Sequence, residues 1–326
     1  MTSPDKPAEH PAPRASPVDD LAVLQFDGPE AATFLQGQLS SDVAALAPGA
    51  LQRSSYNSPK GRMLASLVLA RPDGSGGFRA VVAADLAASM ARRLAMFVLR
   101  AKVKVESLAN ERALIGVAGA GAVDAVRAAF GVAVPAGGAV VHQDLVLLGL
   151  PDGRVLVDAP AATRAAILAR LAPHAAAGDA DDWRRAAIRA GVPLVTAATT
   201  DQFVPQALNF DALDAISFRK GCYPGQEIVA RTHYLGRLKE RLYAFAAAGA
   251  PPAPGTRLYA ASFGDQACGT VVNSVADAGG ATLLAVVQRA AADADVVHVG
   301  ALDGPALTRL ALPYPVPEPA PRERLR

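Results

Sequence analysis

Apolar and polar positions alternate in short runs broken by turn residues along most of the chain, and a helical period appears in only a few places. Leu21–Phe26 alternates and predicts a strand. Asp27-Gly28-Pro29-Glu30 then offers a cap, a first-turn proline and an early carboxylate. These predict a helix through Phe34-Leu35 that stops at a left-handed Gly37. Ser40-Ser41-Asp42 predicts one further helical turn. Arg53–Tyr56 and Met63–Leu69 predict strands joined by the loop Asn57-Ser58-Pro59-Lys60-Gly61-Arg62, and Phe78–Val82 a third behind the Gly-rich turn Gly74–Gly77. From Asp85, Leu86, Met90, Leu94 and Phe97 fall on one helical face with Arg92 and Arg93 off it, and Lys102–Val105 predicts a strand.

A second pattern follows. Leu114–Val117 predicts a strand, Gly121–Phe130 a helix and Val140–His142 a short strand. Leu145–Leu150 and Val155–Asp158 predict strands joined by the turn Pro151-Asp152-Gly153, and Ala161–Leu171 a helix. That order predicts a ferredoxin-like unit, with helices on one face of an antiparallel sheet. After an Ala-Gly-Asp-rich linker over 175–181, Asp182–Ala190 predicts a helix with Trp183, Ala187 and Ala190 on one face. Then come Leu242–Phe245, Thr256–Tyr259, Ala267–Val272, Thr282–Val287 and Val296–Val299, short strands that predict a small antiparallel barrel or sandwich without helices. Residues 1–17 hold five prolines, and Pro313 to Pro321 has one at every second position; both predict tails.

Composition narrows the class. A chain of 326 residues calls for two or three domains, and 51% apolar with 19% charged residues argues for a well-buried globular protein. A net charge of +2 makes no case for electrostatic nucleic-acid binding. The two cysteines, Cys222 and Cys268, stand far apart with no CxxC spacing, which argues against a disulfide framework or a structural metal site and for a reducing compartment. No apolar run reaches the ~18 residues of a membrane span. Asp5, Glu9, Asp19 and Asp20 break any signal-peptide pattern, so a cytoplasmic location is expected.

Chemistry concentrates in Lys220-Gly221-Cys222-Tyr223-Pro224-Gly225-Gln226-Glu227, running on through Ile228-Val229-Ala230-Arg231 as helix or strand. Two glycines and a proline force a bent, approachable backbone that carries a thiol, an ammonium, an amide and a carboxylate. A nearby ammonium lowers a thiol's pKa, which would make Cys222 reactive beside Lys220; a buried, inert thiol is the ordinary alternative. Gln226 and Glu227 suit a flat heterocycle with adjacent N–H and C=O groups, or Glu227 pairs with Arg231 along a helix. Asn57–Arg62 could grip an anion with Lys60, Arg62 and the bared backbone of Gly61, or form a solvated hairpin tip. His233, close to the key loop, is the one scattered histidine to watch. Gln206 and Asn209, polar in an apolar run, need partners if buried.

KGCYPGQEIVAR at Lys220–Arg231 resembles the signature of the YgfZ family of folate-binding proteins, relatives of the T-protein (aminomethyltransferase) of the glycine cleavage system. FLQGQLSSDV at Phe34–Val43, YNSPKGR at Tyr56–Arg62, FVPQALNF at Phe203–Phe210 and GRLKERL at Gly236–Leu242 resemble it too, in the same order. The resemblance implies an α+β fold: a three-domain, aminomethyltransferase-like ring around a central folate cavity. Its parts would be a disordered Pro-rich tail (1–20), a discontinuous α+β folate-binding domain (21–110, with a return segment 181–240 that carries the signature loop), a ferredoxin-like unit (111–180), a C-terminal antiparallel β-barrel (241–312) and a Pro-rich tail (313–326).

It further implies tetrahydrofolate as cofactor, bound by Asn57, Lys60, Gly61, Arg62, Tyr223, Gly225, Gln226, Glu227 and Arg231, with Cys222 and Lys220 as the functional thiol and its neighbour. The implied work is assembly or repair of iron–sulfur clusters in client enzymes, with those enzymes or cluster-assembly proteins as partners and an indirect effect on tRNA modification, rather than classical enzymology. No membrane or direct nucleic-acid partner is expected. A folate-dependent aminomethyl or one-carbon transferase is the alternative, and a pure binding module the third. Family transferases carry paired aspartates after a Gly-Gly; here Leu64-Ala65 or their neighbours take that place, and Met63–Leu69 holds no carboxylate.

Overall fold

The protein is described here by a computed structural model covering residues 11–72, 77–235 and 238–317. The predicted turn at Gly74–Gly77 lies outside these residues but for Gly77, as do Gly236 and Arg237 of the GRLKERL motif and the outer parts of both predicted tails.

The first strand, β1 (Arg14–Pro17), corrects the predicted tail. Ala15 and Val18 are buried, so this short stretch has an apolar anchorage that its prolines conceal in the sequence. Pro17 sits at the strand's end, where a missing N–H is tolerated.

Next come β2 (Leu21–Asp27), α1 (Ala31–Gln36), β3 (Ala50–Asn57), β4 (Met63–Arg71), β5 (Phe78–Ala83), α2 (Ala84–Val98) and β6 (Lys104–Ser107). The strands form one antiparallel sheet in the order β3-β4-β5-β2-β6. Leu24, Phe26, Leu69 and Val82 pack from one face against Leu35 of α1 and Leu86, Met90 and Leu94 of α2. Three local expectations need correction. Gly37 ends α1 in a right-handed conformation, with φ −81°. Ser40-Ser41-Asp42 is not helical: Leu39 bridges Tyr56, and the Ser40 N–H donates to Ser55 O. Phe97 is half exposed beside exposed Met96 and Leu99, because the last turn of α2 runs past the core.

The middle unit holds β7 (Arg112–Ala118), α3 (Ala122–Phe130), β8 (Ala139–His142), β9 (Leu145–Gly149), β10 (Val155–Pro160), α4 (Arg164–Leu171) and β11 (Ala176–Ala177). Its sheet runs β11-β1-β7-β10-β9-β8. Without β1 and β8 this is the strand order of a ferredoxin-like unit. β1 is wedged in, antiparallel to β7 and parallel to β11. Val126 and Phe130 of α3 and Ile167 and Leu171 of α4 cover one face. The other meets the first sheet through Leu148, Leu156, Val23 and Val81.

α5 (Ala180–Arg189) starts earlier than predicted, since Asp179 and Asp182 form a reciprocal capping box. An irregular stretch then carries Val195, Phe203, Leu208 and Phe210 into the core of the first sheet before α6 (Gln226–Leu235). The last part comprises β12 (Glu240–Ala247), β13 (Arg257–Tyr259), β14 (Gly269–Asp277), β15 (Gly280–Gln288), α7 (Arg289–Ala294), β16 (His298–Val299) and β17 (Leu307–Leu310). Its antiparallel sheet, β16-β13-β14-β15-β12-β17, curls until His298 bridges Ala306 just before β17. α7 and a short 3₁₀ turn at Ala261–Phe263 correct the expectation of a helix-free barrel. The second predicted tail is tied down as well: the half-buried Tyr314 hydroxyl donates to Gly191 O at 2.6 Å. Among the described residues no helix is long and apolar enough to cross a membrane.

Candidate functional site

The Cys222 loop is held against the Asn57–Arg62 loop by two glycines. Gly225 has φ +76°, and a Cβ there would lie 2.4 Å from Ser58 O and 2.6 Å from Gly61 N. Gly61, at φ +70°, would bring a Cβ within 2.8 Å of Ile228 Cβ. Only glycine permits both backbones to touch in this way. The turn passes directly into α6, which settles the open choice for Ile228–Arg231 as helix.

Lys220 is buried, and its ammonium donates to Gln36 O (2.6 Å), Leu39 O (2.6 Å) and Ser41 O (2.9 Å). An ammonium has three donors, so none is left for Cys222 or a ligand. Burial pulls its pKa down to about 8. Lys220 therefore anchors the loop, which corrects the expectation that it acts on the thiol. Its charge lies 5.2 Å from the ring centroid of Tyr223. That ring is buried, and burial pushes its phenol up to about 12.

Cys222 itself is exposed, as are Ile228 and Tyr234 nearby on α6. His233 stacks on Phe218 with ring centroids 3.8 Å apart. Glu227 and Arg231 are exposed, and among the described residues they do not pair with each other. The Gln226 side chain donates to Lys220 O at 3.4 Å, its one side-chain hydrogen bond among the described residues. Lys60 and Arg62 are exposed too, and Arg62 donates to Gln202 O. Asn57 is sealed in, and neither end of its amide has a partner. Gln206 and Asn209 are buried and donate to Val229 O and Leu242 O, so they fasten α6 and β12 to the core.

A separate cavity of about 570 Å³ opens where the three sheets meet. Val68 of β4, Val81 of β5, Leu156 of β10, Trp183 of α5 and Asn273 of β14 contribute to its wall. No residue of either predicted loop lines it. Arg53 stands at one side, level with Val68 and Val81 across the sheet, and Asp20 precedes β2. Three strand spacings of ~4.8 Å, order β3-β4-β5-β2, part these two ends by on the order of 15 Å.

The ends differ in charge. At the acidic end Asp20 accepts from Arg184 through one oxygen, while the other, Oδ1, is buried without a partner. At the basic end Arg53 and Arg154 share one carboxylate, Asp152, at 2.5 and 2.9 Å. Burial lowers the Arg53 pKa, and the two guanidiniums hold Asp152 below the usual carboxylate range against its own burial. Two mostly buried cations on one anion leave a positive charge that low-dielectric surroundings penalise unless a further anion arrives. Between the ends, Trp183 packs on Gly116, where a Cβ would come within 2.2 Å of the indole, and Arg154 lies 4.5 Å over its ring.

Sequence reasoning missed all of these residues. The available signals were an arginine inside a strand pattern, a second arginine after Pro151-Asp152-Gly153, and the single tryptophan.

No family model matches the chain. Over 310 residues it is 34% identical to tRNA-modifying protein YgfZ of Sodalis glossinidius, a span of 92% of this chain and 93% of that one. It is 32% identical over 307 residues to the like-named protein of an Enterobacter species, covering 92% and 93%. Among solved structures, glycine cleavage system aminomethyltransferase T from Bartonella henselae matches with a TM-score of 0.72 over 95% of this chain and 87% of that one. At 16% identity this is a likeness of fold, and it bears out the α+β aminomethyltransferase-like architecture. By its identity to these relatives along nearly its whole length, the chain belongs to the YgfZ family.

Proposed function

We propose that this protein binds a reduced folate in the central cavity and, through the exposed Cys222 loop, serves the assembly or repair of iron–sulfur clusters in client enzymes. An effect on tRNA modification would follow through such a client, in keeping with the name its relatives carry. The observation that carries the folate half is the two-ended cavity. A pterin presents adjacent N–H donors, and the orphaned Asp20 Oδ1 is an acceptor suited to them. The far end of a folate is a glutamyl residue with two carboxylates, and the surplus cation of the Arg53–Asp152–Arg154 group is suited to one of them. Val68, Val81 and Trp183 give the aromatic middle an apolar seat. A folate bound there would supply a carrier of one-carbon units; the chain's own part is to bind, orient and shield it.

This reading moves the ligand from the signature loop to the cavity, and gives the loop to the client. Cys222 is the one exposed thiol among the described residues. A single thiolate supplies one of the four usual ligands of a cluster, so any cluster met here is shared with its owner. The transferase alternative finds little support: β4 offers Ser66 and no carboxylate, and Glu227 is exposed away from the cavity. Of the cavity's acids, Asp85 accepts from Ala197 N–H and Asp19 pairs with Arg164.

Titration calorimetry with tetrahydrofolate tests it. Saturable binding is expected for the wild type and for Cys222→Ala, with marked weakening in Asp20→Asn and Arg154→Gln. Binding weakened by Glu227→Ala but indifferent to Asp20 and Arg154 would return the ligand to the loop. No binding at millimolar ligand would end the folate reading.

A further inference from the structure

A second cavity, of about 580 Å³, adjoins the first. Arg53, Arg154 and Val192 line both, so these two guanidiniums stand on the boundary between them. Beyond them the second cavity adds Arg14, Arg185 and Arg189, against which its own wall sets only Asp152 and Asp182.

The pairing is regular. Asp152 is shared by Arg53 and Arg154. Asp182 is shared by Arg14 and Arg185, both at 2.8 Å, and Asp277 by Arg185 and Arg189 at 3.4 and 3.2 Å. Two strings result, Arg53–Asp152–Arg154 and Arg14–Asp182–Arg185–Asp277–Arg189, and each holds one more cation than anion. Here one string is buried and the other rims a concave wall, and such an arrangement concentrates anions.

We infer that the second cavity takes the oligo-γ-glutamyl tail of a folate whose head occupies the first. This rests on the folate reading above and extends it from the head of the ligand to its tail. Each added γ-linked glutamyl residue contributes one free carboxylate, so a tail crossing the Arg53–Arg154 boundary presents a row of anions to a row of guanidiniums. A folate with a single glutamyl residue carries its two carboxylates together at the first string and leaves the second unmet. Tyr314, tied to Gly191 by its hydroxyl, and Pro313 close one side, so the segment predicted as a tail forms part of this wall.

The test is calorimetric titration of the full chain with tetrahydrofolate carrying one, three or five glutamyl residues, at low ionic strength and again at about 0.5 M salt, where such attractions are screened. In the wild type the affinity should rise with tail length, by tenfold or more from one residue to five. That gain should fall below twofold at high salt and in the Arg185→Gln/Arg189→Gln variant, with one-residue affinity kept. Ala120→Glu, which places a carboxylate at the rim without removing any pair, should also suppress the gain; it guards against a misfolded double variant. Equal affinity for all three lengths in the wild type would overturn the inference and leave the folate reading standing. A gain that survives both variants and salt would overturn it as well. Failure of all three ligands to bind would overturn the folate reading and this inference together.

Discussion

Cys222 and Trp183 each mark a place where chemistry can be held, yet the two places are made differently. The Cys222 loop is drawn from a dozen consecutive residues; it is exposed, and it is pinned from beneath by Lys220 and from the side by the Gly225–Gly61 contact. The central cavity around Trp183 takes its wall from three sheets and α5, and each of its charged ends joins residues far apart in the chain, by 164 positions at Asp20–Arg184 and 99 at Arg53–Asp152. A contiguous loop can present a reactive atom to a large partner, because its neighbours need only keep out of the way. A dispersed cavity can enclose a small ligand, because several elements approach it from different sides. On the proposed reading one molecule has an outward site and an inward site, with little shared between them.

The comparison can be broken by substitution. The largest effect is expected for Trp183→Ala, which empties the space over Gly116 and removes the seat of Arg154; loss of a buried aromatic of this kind costs about 3–5 kcal/mol. Urea unfolding measures it, and the alkylation rate of Cys222 should stay unchanged in the folded variant. A changed rate would mean that the two sites are mechanically coupled.

Gly225→Ala comes next. A left-handed conformation forced on alanine, together with contact on Ser58 O, should cost about 1–3 kcal/mol. Here Cys222 alkylation should accelerate while folate affinity holds, the reverse of the Trp183 result.

Lys220→Met leaves three carbonyl oxygens without their donor, a loss of about 1–3 kcal/mol near neutral pH. Its pH dependence has a definite sign. The folded-state pKa of about 8 lies below the ordinary 10.5, so between those values the unfolded chain holds the extra proton and stability rises with pH. The gap in urea midpoint between wild type and Lys220→Met should therefore widen from pH 7 towards pH 10. A gap that narrows would refute burial as the cause of the shift.

The smallest structural effect is expected for Cys222→Ser, within about 0.5 kcal/mol as for other exposed positions. If client iron–sulfur enzymes keep full activity in cells carrying it, the thiol has no part in the outward site.

The same contrast explains what the sequence made legible. Gly61 and Gly225 were readable as close-approach positions because a glycine advertises its backbone, and the motif runs without interruption. Most strands of the first sheet were readable as short apolar runs between turn residues, and both faces are covered, one by α1 and α2 and the other by the middle sheet. The cavity was not. Arg53 looks like a strand residue facing water, and nothing local to it reveals that Arg154, a hundred positions on, shares its Asp152. Asp20 sits just outside a strand and resembles a turn residue. β1 escaped for another reason: four residues beside prolines carry no period, and only the groove between β7 and β11 gives them a partner. Lys220 was read as a cation near a thiol because spacing does not tell which way a side chain turns.

β1 also bears on how the molecule comes to be folded. Arg14 pairs along the strand with Ala176 and, through its side chain, with Asp182, so residues 14–17 cannot complete their contacts until more than 160 others have followed. Pairing of such long sequence separation is slow, and the open slot between β7 and β11 is a pair of unprotected strand edges while it waits. On the ribosome, the middle sheet would stay unfinished until residues 176–182 emerge, and a chaperone or a second copy of residues 14–17 could occupy the slot first. A tag fused close ahead of residue 14 therefore meets a strand in waiting, and belongs at the other end of the chain.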